Sequence, residues 1–78
     1  MANGSEFEGI VARLEFDATS GWCLATLITP EGDKEQVSIP DPRMQTLLET
    51  AMTLTVPVTI TFEKGDVDRL TSVVLEQR

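Results

Sequence analysis

Apolar and polar residues alternate with a period of two along most of this chain, and the alternation is interrupted once, after Pro40. There Met44, Leu47, Leu48, Ala51 and Met52 recur at three- and four-residue spacing, which gathers them on one face of a helix, while Arg43, Gln45, Thr46, Glu49 and Thr50 fall mostly on the other. Asp41 is placed to accept hydrogen bonds from the free N–H groups of the first turn. Pro42, which has no N–H to lose and already holds a helical φ, is placed at the first helical position. The residues at 53–56 are poorer helix formers and Pro57 biases the residue before it to extended geometry, so the helix is expected to run from Pro42 to Met52 or Thr53.

On either side of it the pattern reads as strand. Ile10, Ala12, Leu14 and Phe16 alternate with Val11, Arg13 and Glu15, which predicts a strand with the first set buried and the second largely wet. A polar turn over residues 17–21 leads to a stretch apolar on both faces, residues 22–29, expected to be a central strand. A second turn at 30–33 precedes a short strand, 35–39, with Val37 and Ile39 inward. After the helix Val58, Ile60 and Phe62 alternate with Thr59 and Thr61. Residues 63–66 turn the chain, and 67–75 form a last strand whose irregular alternation suggests a bulge.

The fold class is therefore mainly β (α+β), in the order β-β-β-α-β-β. Across residues 9–76 this order resembles the OB-fold, a small five-stranded Greek-key barrel, with an SH3-like barrel or an open α+β roll as the alternatives. The resemblance is one of topology, and such barrels host nucleic-acid, sugar, protein and assembly roles alike. Residues 8–78 are read as a single small barrel domain. Gly4, Ser5, Glu6 and Phe7 read as a cloning scar encoded by two adjacent restriction sites, so residues 1–7 are set aside as a scar or a disordered N-terminus.

A chain of 78 residues buries a modest core, and its single cysteine, Cys23, rules out a disulfide within the chain. With no His to activate it, Cys23 reads as a small buried apolar residue. No apolar run approaches the ~20 residues of a membrane span and no secretion signal is evident, so the expected setting is a reducing cytoplasm without membrane contact.

Charge and composition narrow the chemistry. The chain lacks both His and Tyr, and no spacing pairs Ser20, Ser38 or Ser72 with a base, so no enzyme activity and no cofactor are expected. The acidic turn of Glu63, Asp66 and Asp68 falls short of a calcium loop and contains Lys64, so it reads as a solvated turn and no metal is expected. Thirteen acidic against six basic residues give a net charge of −7, which opposes nucleic acid, because phosphate binding draws on Lys and Arg. Phe16 and Phe62 lie on phases read as core-facing, which removes them as stacking platforms.

Trp22 stands at a strand start after the 17–21 loop, where it can cap the barrel core or anchor a partner or ligand; with Ser20 and Thr19 of that loop it forms the candidate contact site. The chain is thus expected to be a noncatalytic protein-interaction or assembly module with an acidic surface suited to a basic partner. A homo-oligomeric ligand-holding subunit is the alternative, with binding of sugar or single-stranded nucleic acid behind it. Self-association as a dimer is expected through the surplus apolar positions Val11, Leu54, Val73 and Val74.

Overall fold

The structure, a computed structural model, describes residues 4–76. It contains β1 (Gly4–Asp17), β2 (Trp22–Ile28), β3 (Lys34–Ser38), α1 (Pro42–Leu54), β4 (Pro57–Glu63) and β5 (Arg69–Val74). The strands form a closed barrel in the order β1-β2-β3-β5-β4, with β4 returning to β1. Every pairing is antiparallel except β3 with β5, which meet in parallel at Ser38 and Arg69. Closure excludes the open roll, and the connectivity follows the OB-like outline. Among the described residues no helix is long and apolar enough to cross a membrane.

Closure depends on β1, which pairs with β4 from Gly4 to Ile10 and with β2 from Ile10 to Asp17. Residues 4–7, set aside on sequence, are therefore structural: Phe7 lies opposite Ile60 and packs against the core. Their composition carries no strand pattern of its own, and it is the neighbouring β4 that supplies the ladder. Residues 1–3 of that segment, and its proposed origin, lie outside what the described residues address.

The phase of β1 also differs from the expected one. Val11 pairs with Leu27 and Arg13 with Thr26, which leaves Ala12 as an extra residue. This bulge reverses the alternation, because one inserted residue exchanges the two faces of a strand. Before it the inward positions are Phe7, Gly9 and Val11; after it Leu14 turns inward opposite Ala25. Val11, expected on the outside, is a core residue, 3% exposed, whereas Ile10 is half-buried and Ala12 exposed. Phe16 keeps the inward phase opposite Cys23 but lies beyond the end of the core, which leaves it 64% exposed. Gly9 is required where β1 passes between its two partners: a Cβ there would lie 2.7 Å from the carbonyl oxygen of Ile28.

The remaining inward set follows the sequence. Val37, Ile39, Val58, Ile60 and Phe62 are buried together with Ala25, Leu27 and Leu70. The irregularity read in the last strand is a bulge at Thr71, since Thr61 pairs with Ser72 and Phe62 with Leu70. The Thr71 hydroxyl donates to the Thr61 carbonyl at 3.0 Å.

α1 packs against β1, β4 and β5, and its Leu48 and Ala51 are fully buried. Met44 packs at the margin, and Leu47, expected in the core, is 39% exposed because it sits at the edge of the apolar stripe. Asp41 caps the helix by accepting the Arg43 N–H at 2.8 Å, and the Arg43 guanidinium folds back onto both of its oxygens. That side-chain hydrogen bond holds the Asp41 carboxyl below its usual range.

The helix runs to Leu54 and ends at Thr55, whose φ of 55° is left-handed and whose N–H reaches the carbonyls of Ala51 and Met52. For an L residue this conformation costs roughly 1–2 kcal/mol, and a β-branched side chain is poorly suited to it. Thr55→Gly is therefore expected to stabilise the domain by about 1 kcal/mol, part of the relief being offset by the freer unfolded chain. Chemical denaturation measures this directly, and a loss of stability would contradict strain at the cap.

Candidate functional site

The β1–β2 turn is built from short side chains that bond to the backbone. Asp17 accepts the Thr19 N–H through Oδ1 at 2.9 Å, and its carbonyl accepts the Gly21 N–H at 2.7 Å. Gly21 has a φ of 78°, which glycine adopts without steric cost. The Ser20 hydroxyl oxygen accepts the Trp22 N–H at 3.3 Å. Thr19 and Ser20, two of the three candidate contacts, are exposed residues of this turn and are not among the residues that line the depression beside Trp22. Ser20 acts by fixing the backbone at the start of β2.

Trp22 projects outward, since Ala25 and Leu27 occupy the inward phase of β2. It is 47% exposed, so it does not serve as a lid on the core. Its ring borders an open depression of about 380 Å³ whose other walls include Ser38, Ile39 and Pro40 from the end of β3, Val67 from the β4–β5 loop, and Arg69 from the start of β5. The fold assembles these pieces in a few steps. Ser38 lies opposite Leu24 on the outer face of β2, and the parallel pairing sets Arg69 beside Ser38. The Ile39 N–H donates to the Cys23 carbonyl at 2.8 Å and holds the exit of β3 against Trp22's neighbour. Val67, expected at the start of the last strand, lies instead in the loop before it and is 44% exposed.

The charged groups around the depression are largely engaged with one another. Arg69 faces Glu63 at 3.8 Å, and the Lys64 ammonium lies 5.7 Å from the centre of the Phe62 ring. Asp68 accepts the Gly65 N–H at 3.3 Å, while its backbone carbonyl accepts the Ser38 N–H at 2.8 Å, which ties the β4–β5 loop to β3. Glu35, on the inward phase of β3, reaches the same Asp68 side chain. Partial burial and that hydrogen bond push the Glu35 carboxyl up to about 7, with Lys64 opposing the rise. Asp68 is displaced in the other direction, chiefly because it accepts the Glu35 proton in a hydrogen bond. Of the two, Glu35 is the member whose proton is held into the neutral range.

Burial pushes the Cys23 thiol up, with Glu49 adding to the effect, so the thiol stays protonated and weakly nucleophilic. Among the described residues no group of three or more His, Cys, Asp or Glu is arranged to hold a metal ion. Arg69, Val67 and Ser38 were not legible as site residues, because each reaches Trp22 only through barrel closure. An apolar Val67 directly beside the acidic turn was the one local signal. No family model matches the chain, and no curated protein or solved structure matches it.

The raised Glu35 carboxyl makes stability depend on pH in a definite direction. The raised Glu35 contributes stability that is complete below its unfolded value, near 4.5, and is lost as pH rises through about 7. The lowered Asp68 acts oppositely: its contribution is present above its unfolded value and is lost as pH falls through its depressed folded one. Between pH 5 and 8 the Glu35 effect governs. Wild type is expected to lose on the order of 1 kcal/mol relative to Glu35→Gln, after allowance for solvent screening, because the glutamine amide donates to Asp68 without titrating. Denaturation at the two pH values checks this, and parallel losses in both proteins would contradict the raised Glu35 carboxyl.

Proposed function

We propose that this domain is a noncatalytic binding module that engages a partner protein at the depression bordered by Trp22. The observation that carries the reading is the half-exposed Trp22 ring, held by strand pairing at the rim of a depression that also exposes Val67. A large aromatic fixed by the backbone loses little freedom on binding and buries much apolar area, which is why tryptophan is enriched among the residues that dominate interfaces. The depression lies on the β2–β3 face between the β1–β2 and β4–β5 loops, the region OB-like barrels use for ligands. The net charge of −7 weighs against a polyanionic occupant there.

Extract from the source cells, passed over immobilised protein, tests this reading. Trp22→Ala is expected to lose the specific partner, by roughly 30-fold or more in affinity, while Leu54→Ala, remote from the depression, retains it. A partner held equally by Trp22→Ala would end the reading.

Association of two copies is the second reading, and it is favoured by a separate observation. Met44, Leu47 and Val73 line another open depression, of about 340 Å³, between α1 and β5. Leu54 and Val74 are 62% and 44% exposed, whereas Val11, the fourth apolar position considered for an interface, is buried and contributes nothing to one. A two-fold contact would let this surface meet its own copy. Sedimentation equilibrium is expected to show a mass rising above 8.6 kDa with concentration in wild type and not in Leu47→Glu. A constant 8.6 kDa in wild type would remove this reading.

A further inference from the structure

We infer that the occupant of the Trp22 depression is an extended, basic segment of a partner protein, seating one apolar side chain against Trp22 and Val67 with Lys or Arg on either side of it. The inference rests on the reading of this depression as the binding site, and charge complementarity carries it further.

The two aromatic and apolar walls each have an exposed carboxylate beside them. Asp17 lies directly opposite Trp22 in the β1–β2 ladder, so the two side chains project from the same face as neighbours. Only Oδ1 of Asp17 is engaged by the turn, through Thr19, which leaves acceptor capacity for a guanidinium or ammonium. Asp66 immediately precedes Val67 in the chain and is exposed.

Arg69 is itself a wall of the depression, and Glu63 faces it at 3.8 Å, so that pair is neutral as a whole. Lys64 rests over the Phe62 ring, and the carboxylates beside Trp22 and Val67, Asp17 and Asp66, have no such cation facing them among the described residues. A cation approaching Trp22 therefore meets Asp17 and the indole face together, and the two attractions add. An acidic segment would meet the same carboxylates as repulsion, within the wider field of a chain carrying −7.

The chain's single tryptophan, with no tyrosine present, makes the test direct. Three blocked peptides lacking aromatic residues serve as probes: KRLRK, its charge-reversed form EDLDE, and KRGRK, which lacks the apolar anchor. KRLRK is expected to shift the Trp22 emission and to bind at least about tenfold more tightly than either control at physiological salt, as read independently by calorimetry. Combining Asp17→Asn with Asp66→Asn is expected to weaken KRLRK by about tenfold and to flatten its salt dependence. The amide oxygen introduced at position 17 still accepts the Thr19 N–H, so the turn is kept.

Binding of EDLDE as tight as that of KRLRK, equal binding of KRGRK, or no response to any of the three would overturn the inference. Its failure is distinguishable from failure of the binding reading itself. A partner captured from extract through Trp22, with KRLRK inert, leaves the site standing and refutes only the basic chemistry. Capture indifferent to Trp22 removes the site.

Discussion

β1 must satisfy two partners along one continuous strand, and the rest of the barrel depends on how it does so. Pairing with β4 over its first half and with β2 over its second forces it to curl around the core. A regular strand would hold one set of side chains inward throughout, and the curl would then drive its centre into the β2 backbone. Gly9 removes the side chain at the tightest approach, to the Ile28 carbonyl, and the extra residue at Ala12 lets the strand change partner and twist. With β1 bent, β4 and β2 are brought round far enough for β3 and β5 to meet on the opposite side, where one parallel rung, Ser38 with Arg69, closes the cylinder.

That closing rung is also what creates the surface around Trp22. In sequence Trp22 and Arg69 are far apart, and neither β2 nor β5 forms a concave face alone. Once Ser38 is fixed between them, the exit of β3 through Ile39 and Pro40 forms one wall, and the β4–β5 loop, tied down by the Asp68 carbonyl, brings Val67 to another. Glu35, on the inward phase of β3, lies against the same Asp68 side chain, and their interaction raises the Glu35 carboxyl and lowers that of Asp68. The depression is thus a by-product of closure: what stabilises the β3–β5 seam also sets its shape.

Local chemistry made some of this legible in the sequence. The helix start could be read because Asp41 and Pro42 act within one turn, and β4 because Val58, Ile60 and Phe62 alternate without interruption. The alternation of β1 misled for a physical reason: apolar residues stand on both phases, at Ile10 and Val11, and a bulge at Ala12 exchanges the two faces just after them. No period-two count can locate such an exchange, since it is the neighbouring strands that decide which apolar residue turns inward. The strand formed by residues 4–7 was hidden for a related reason, its pairing being supplied entirely by β4. Of the candidate site, Trp22 was legible as an unusual residue at a turn. Its neighbours Ser38, Val67 and Arg69 were not, because only tertiary pairing brings them to it.

The exposure of Trp22 follows from the same geometry rather than from a lack of room inside. The next residue along β2, Cys23, occupies the inward phase, and moving Trp22 inward would require β2 to slip by one residue, turning Ala25 and Leu27 out of the core. Burying one indole would therefore expose apolar groups that are now fully buried, so the folded state holds Trp22 outside. A large apolar surface kept in water by the constraints of folding retains the free energy of its own burial for a later event. Beside this ring the fold has set a concave wall that includes Val67 and Arg69, with Asp17 opposite it in the ladder. Association is the event that can release that free energy without disturbing the barrel.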